Sequence, residues 1–278
     1  MDELRDLLRA GPDVDLGAID SRATPGFDGD KADGEAALAA GVPEFADLQE
    51  LLFANGRDGA DRRRVLLVLQ AMDSAGKGGI VKHVVGAVDP QGVAIASFKA
   101  PTPEELEHDF LWRIRKRIPG LGMLGVFDRS HYEDVLIHRV RGFSSPEVIE
   151  QRYDLIAAFE RELAADGIRM VKVMLHISPD EQKERRAERL DRPDKHWKYN
   201  PGDVDERALW DDYMEAYRIA IARTSTDEAP WFVVPADRKW YARLAVQRLV
   251  VDALRDLDQD WPPADFDVEA EKRRLAAT

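Results

Sequence analysis

The sequence has no cysteine, which excludes disulfides, thiolate metal ligands and a thiol nucleophile. No apolar run nears the ~20 residues that a membrane-spanning helix needs. Positive charge is in deficit, with 40 lysines and arginines against 53 carboxylates and a net charge of −13. That balance argues against a nucleic-acid or membrane-surface partner, both of which reward broad basic faces. Any anionic ligand must be met by local clusters of Lys and Arg. Residues 1–20 are acidic and broken by Gly11 and Pro12, unlike a secretory signal, so a cytoplasmic protein is expected.

What remains is a chain of 278 residues with 44% hydrophobic content, enough for one large α/β domain. Residues 1–41 read as an acidic, mostly irregular arm outside the domain, because Asp, Gly and Ala dominate without apolar periodicity. Residues 42–278 read as a single domain that starts on a helix at 43–55. The run VLLVLQ at 65–70 is short, continuous and apolar, the pattern of a strand buried on both faces. Further strand-like runs follow at 93–98, 123–128, 169–177 and 231–234. Helical patterns alternate with them at 80–88, 104–117, 146–165, 179–190, 204–224 and 239–254. About five strands alternating with helices predict a parallel sheet covered on both faces, a three-layer α/β/α sandwich.

The first strand runs straight into A-M-D-S-A-G-K-G at 71–78, followed by Gly79 and a helix. This is a phosphate-binding loop in its proper context, although Ala71 stands for the usual first glycine and Gly78 for the usual Ser or Thr. Ser74, Ala75, Gly76, Lys77, Gly78 and Gly79 are the expected phosphate contacts: backbone N–H groups, a helix N-terminus and one mobile cation. The hydroxyl that normally ligates Mg²⁺ is missing. Asp73 lies inside the loop, and a carboxylate among phosphates needs a cation between them. A tight strand–helix turn without a ligand is the competing reading.

Asp128 ends the third strand, at the carboxyl edge where open α/β sheets bind ligands. It is the candidate second metal ligand with Asp73, and Arg129 beside it can clamp a phosphate. The alternative is a helix cap with Arg129 paired to Glu133. Further cations that could hold a long anion are Lys82, Lys99, Arg113, Arg117, Arg185, Arg189 and Lys198, each of which could equally be a solvated charge. Residues 181–203 read as a lid that carries arginines and excludes water. Glu133, Asp134 and Trp197 are candidates for touching a nucleotide.

The motifs AMDSAGKGG, SFKAPTPEELEHDFLWRI, FDRSHYEDVL, LHISPDEQKERRAERLDRPDKHWKYNPGD and PWFVVPADRKWY, in this order, resemble polyphosphate kinase family 2 from about Phe45 to Leu254. The spelling DRSHYEDVL resembles its class III members, which accept nucleoside mono- and diphosphates. The resemblance implies a thymidylate-kinase-like P-loop fold with a helical lid. It implies transfer of the terminal phosphate of inorganic polyphosphate to AMP or ADP, or to GMP or GDP, with Mg²⁺ or else Mn²⁺. It places Asp73, Lys77, Asp128, Arg129 and Arg189 in the catalytic set, with Arg185 as a second lid arginine. It further implies a homo-oligomer, dimer or tetramer. An ATP-dependent small-molecule kinase and a non-catalytic polyphosphate- or nucleotide-binding regulator are the rival functions.

Overall fold

The computed structural model describes residues 2–57 and 59–278. Six strands form one sheet in the order β1-β6-β5-β2-β4-β3. They are β1 (Arg9–Ala10), β2 (Arg64–Ala71), β3 (Val93–Ser97), β4 (Leu124–Asp128), β5 (Ile168–His176) and β6 (Trp231–Pro235). Every pairing is parallel except that of β1 with β6. β2 lies at the centre, and all eight of its residues are buried. A strand covered by helices on both faces has no polar side to display, hence its unbroken apolar run.

Helices α1 (Asp2–Leu8), α2 (Lys31–Ala40) and α3 (Val42–Gly56) precede the central strand. α4 (Lys77–His83), α5 (Pro103–Leu106), α6 (Trp112–Arg115), α7 (Ile137–Val140) and α8 (Pro146–Ala165) follow. Then come α9 (Pro179–Asp191), α10 (Gly202–Arg207), α11 (Trp210–Thr224), α12 (Lys239–Arg255) and α13 (Val268–Ala276). α8 buries Ile149, Tyr153, Ile156, Phe159 and Leu163, a stripe at three- and four-residue spacing. This is the expected α/β/α sandwich, with one strand more than the sequence suggests.

The extra strand belongs to residues 1–41, whose composition predicts an irregular arm outside the domain. Instead Leu4, Leu8, Ala10 and Leu16 are part of the hydrophobic core. β1 pairs Arg9 with Phe232 and Ala10 with Trp231 along the sheet's edge. Tyr241 donates to the Pro25 carbonyl at 2.7 Å, and Gly34 lies against Trp240 so closely that a β-carbon would sit 2.2 Å from the ring. The core burial of a few leucines, not periodicity, orders this segment.

Three expected helices are broken or cut short. The one at 104–117 starts as predicted, with Thr102 and Glu105 forming a capping box. It stops at Leu106, and the Asp109 side chain then accepts from the Leu111 N–H at 3.0 Å, a local bond that competes with helix continuation. The one at 204–224 is split between Arg207 and Trp210. The helix expected at 80–88 ends at His83 and gives way to a 3-10 turn at Val85–Ala87.

Candidate functional site

β2, β4 and β5 all run toward the same edge, and Leu69 pairs with Asp128 while Ala71 pairs with Leu175. A cleft of about 900 Å³ opens there. Lining it are Asp73 through Ile80, Lys82, Lys99, Asp128, Arg129, Arg185, Arg189 and Lys198. Eleven lysines and arginines line the cleft against three carboxylates, the local cation cluster that an acidic protein needs to hold an anion.

The loop earns its shape from backbone geometry. Gly76 has φ 123, open only to glycine at low cost, and Ser74 holds φ 67 despite its side chain. Lys77 opens α4 and is buried, with Nζ donating to the Ala71 carbonyl at 3.0 Å. Burial pulls its ammonium below the usual lysine range, and Arg129 adds to this; Asp128, Asp73 and Glu133 pull the other way. A β-carbon at Gly78 would meet nothing within 4 Å. The loop therefore has room for the hydroxyl it lacks.

Asp73 is held from the lid side. Its Oδ2 lies 3.2 Å from Arg189 Nη1 and 3.5 Å from Arg186 Nη2, and accepts from the Ser74 hydroxyl at 3.0 Å. The Arg129 N–H donates to the Leu69 carbonyl at 3.0 Å and completes the β4–β2 ladder, and its positive φ, 65, then turns the chain off the end of β4. Burial works against the Arg129 cation, but Glu133, Asp128 and Asp73 outweigh it and hold the guanidinium charged more firmly than usual. Burial raises the Glu133 carboxyl, against Arg129, Lys77 and the Gln70 amide, which donates to Glu133 Oε1 at 3.0 Å.

Several of the expected contact residues have protein partners in this structure. Arg185 reaches the cleft wall, but its guanidinium is spent on main-chain carbonyls: Ser74 and Ala75 in the loop, Ala236 and Asp237 after β6. Its Nε donates to Glu181 at 2.8 Å. Arg113 is buried and donates to the Lys99 carbonyl at 2.8 Å, so it braces the chain that carries Lys99 and does not line the cleft. Arg117 is exposed and lies off the cleft. Asp134 is buried against Arg152 and His138 at 3.7 and 3.5 Å. Trp197 is 78% exposed, and its indole N–H donates to the Asp194 carbonyl at 3.1 Å. Lys239 and Arg243, outside the expected set, bring the start of α12 to the cleft, and Arg192 and Asn200 join them from the lid. Lys239 and Arg243 are four apart on one helix face, a signal that was available.

Beneath the cleft, the turn after Arg129 is anchored in a buried polar cluster. Lys172 Nζ donates to Glu160 Oε2 at 2.6 Å, to the Tyr132 hydroxyl at 3.0 Å and to the Thr224 carbonyl at 2.7 Å. Glu160 Oε1 accepts from Tyr132 at 2.7 Å and meets His131 Nε2 at 3.1 Å. Burial pushes the Glu160 carboxyl up, but Lys172 and His131 pull it further down, so it ends below the usual carboxylate range.

A loop between a buried parallel strand and a helix, two carboxylates and a ring of cations at the carboxyl edge of the sheet define the P-loop class of phosphotransferases. Comparison with known proteins narrows the class. The family model "Polyphosphate kinase 2" matches residues 28–262. The AMP/ADP-polyphosphate phosphotransferase of Meiothermus ruber is 45% identical over 256 residues, covering 91% of this chain and 94% of that one. The ADP-polyphosphate phosphotransferase of Rhodopseudomonas palustris is 40% identical, covering 91% and 89%. The crystal structure of polyphosphate kinase 2 from Arthrobacter aurescens TC1 is 58% identical, with a TM-score of 0.97 over 99% of this chain and 97% of that one. The chain belongs to the polyphosphate kinase 2 family.

Proposed function

We propose that the protein moves the terminal phosphate of inorganic polyphosphate onto a nucleoside mono- or diphosphate. The observation that carries the reading is the cleft itself: a phosphate loop with a carboxylate in place of its hydroxyl, set among eleven cations. The names of the relatives from Meiothermus and Rhodopseudomonas supply AMP and ADP as acceptors. The same reading takes GMP and GDP as further acceptors, a cytoplasmic setting and a homo-oligomer, all supported by family resemblance.

Asp73 and Asp128 line one cleft and are the residues that would hold Mg²⁺ or Mn²⁺. No cluster of three or more carboxylate or histidine ligands occurs among the described residues. Two carboxylates suit Mg²⁺, which completes its shell with water and phosphate oxygens. Such an ion would neutralise phosphate charge and let Asp73 sit among phosphates. The acceptor oxygen is already a phosphate oxyanion, so no general base is required. It forms a bond to the terminal phosphorus as the bridging P–O bond breaks, and the shortened polymer leaves with the electron pair. Lys77, Arg129 and Arg189 neutralise the transferring group, and catalysis is positioning plus charge stabilisation. Lys82, Lys99 and Lys198 extend the anion's path along the cleft wall.

The test is a donor swap. With ADP and polyphosphate and no ATP supplied, ATP should form, and Lys77→Ala should form it about a hundredfold or more slowly. Absence of ATP above that control would overturn the reading.

A further inference from the structure

The phosphate loop leans on one face of α9, and two side chains there take its carbonyls. Gln182 Nε2 donates to the Asp73 carbonyl at 2.9 Å. Arg185 Nη1 donates to those of Ser74 and Ala75 at 3.2 and 2.8 Å. Both side chains are buried. Three consecutive carbonyls therefore face α9. No described peptide bond is cis, and across a planar trans peptide the N–H points opposite to the carbonyl. The Ala75 N–H closes a turn on the Met72 carbonyl at 3.3 Å, and peptide planarity turns those of Ser74 and Gly76 away from the helix. The same bonds steady Ser74 at its positive φ.

Gln182 has a second partner. Its Oε1 accepts from Arg207 Nη1 at 2.6 Å, and that nitrogen also donates to the Pro179 carbonyl at 3.1 Å. Arg207 ends α10, beyond the polar stretch that follows α9. One buried amide thus touches the root of the lid helix, the helix that closes the lid segment, and the residue bearing the loop carboxylate. The amide orientation is fixed by its partners, since a guanidinium only donates and a carbonyl only accepts.

We propose that Gln182 is a positioning residue: it sets the orientation of the Asp73–Ser74 peptide and, through Arg207, couples the far end of the lid to the phosphate loop. The kinetic part of its test rests on the phosphoryl-transfer reading; the structural part does not. Gln182→Glu keeps an acceptor for Arg207 but sets an oxygen against the Asp73 carbonyl. In the full chain, amide hydrogen exchange of residues 73–79 should become about tenfold faster, the scale of one lost hydrogen bond. kcat should fall by about the same factor, nucleotide KM should change less than about twofold, and half-activation should need more Mg²⁺. Arg207→Met should move these quantities in the same direction by less. A folded Gln182→Glu protein with unchanged exchange and kcat would overturn the inference. If that variant does not fold, unchanged exchange in Arg207→Met, at a partly exposed position, would overturn it instead. If the wild-type chain transfers no phosphate at all, the functional reading fails while the exchange data still decide this one.

Discussion

Replacing Lys172 by Met should be strongly destabilising. Lys172 is 0% exposed and its ion-pair partner Glu160 is 2% exposed. The ammonium makes three bonds, to Glu160, Tyr132 and the Thr224 carbonyl, at 2.6–3.0 Å. Methionine matches the lysine stem in volume, so the cost is electrostatic: a buried carboxylate loses its counter-charge. Breaking a buried pair from one side costs about 3–5 kcal/mol. At roughly 2–4 °C per kcal/mol for a chain of this size, the melting temperature should drop on the order of 10 °C. Adding Glu160→Gln removes the stranded charge and keeps an acceptor for Tyr132 and His131, so the double variant should recover most of the loss. The sign with pH follows from the depressed Glu160 carboxyl. Its contribution is complete above the unfolded carboxyl pKa of ~4.3 and is lost as pH falls through the folded value. The gap between wild type and Lys172→Met should therefore narrow as pH falls, first where the stranded Glu160 of the variant takes up a proton and then through the depressed wild-type value. Thermal melts across pH make the measurement. A single variant melting within a degree or two of wild type at pH 7, or a double variant no better than the single, would refute the reasoning.

Other outcomes follow from the cleft. Lys77→Ala should lower kcat by about a hundredfold or more, as removal of a preorganised charge stabiliser does, and a loss under tenfold in steady-state assays would demote Lys77. Burial lowers Lys77, so binding of inorganic tripolyphosphate should weaken on the alkaline side at a pH below the ordinary lysine value of ~10.4. Lys77→Met should bind less and lack that limb; calorimetry showing the limb intact in the variant would assign it elsewhere. Asp73→Asn should cut the rate strongly and flatten its Mg²⁺ dependence, and a Mg²⁺ titration indistinguishable from wild type would remove Asp73 from the metal site. Arg189→Met frees the Asp73 carboxylate from a 3.2 Å partner and should depress kcat more than it raises nucleotide KM, measured as a kcat-against-KM split.

The sheet was legible because its five long strands are continuous apolar runs, each followed by a helical pattern. The loop was legible from its position even with two consensus residues changed. What stayed hidden depends on tertiary neighbours. Leu4 and Leu8 look like an isolated pair until β1 lies on β6 and closes the core around them. Arg185 and Arg189 are one helical turn apart and read alike, yet one is absorbed by carbonyls and the other reaches the Asp73 carboxylate. Nothing local separates them; the loop's distance from each turn of α9 does. Gln182 carries no motif at all, because an amide's role is set by what stands on either side of it. Asp134 and Trp197 have suitable chemistry and stand near the motifs, and their side chains turn to other partners.

The cleft's eleven cations sit in a molecule whose net charge is −13. Outside the cleft, carboxylates therefore outnumber cations, which leaves an anionic skin around a cationic mouth. Near neutral pH it should bind an anion exchanger through its outer surface and a sulfated-polysaccharide resin through its mouth. Short polyphosphates should elute it from the second at concentrations far below those needed on the first, so a separation on two columns can sort molecules with an open mouth from those with an occupied one.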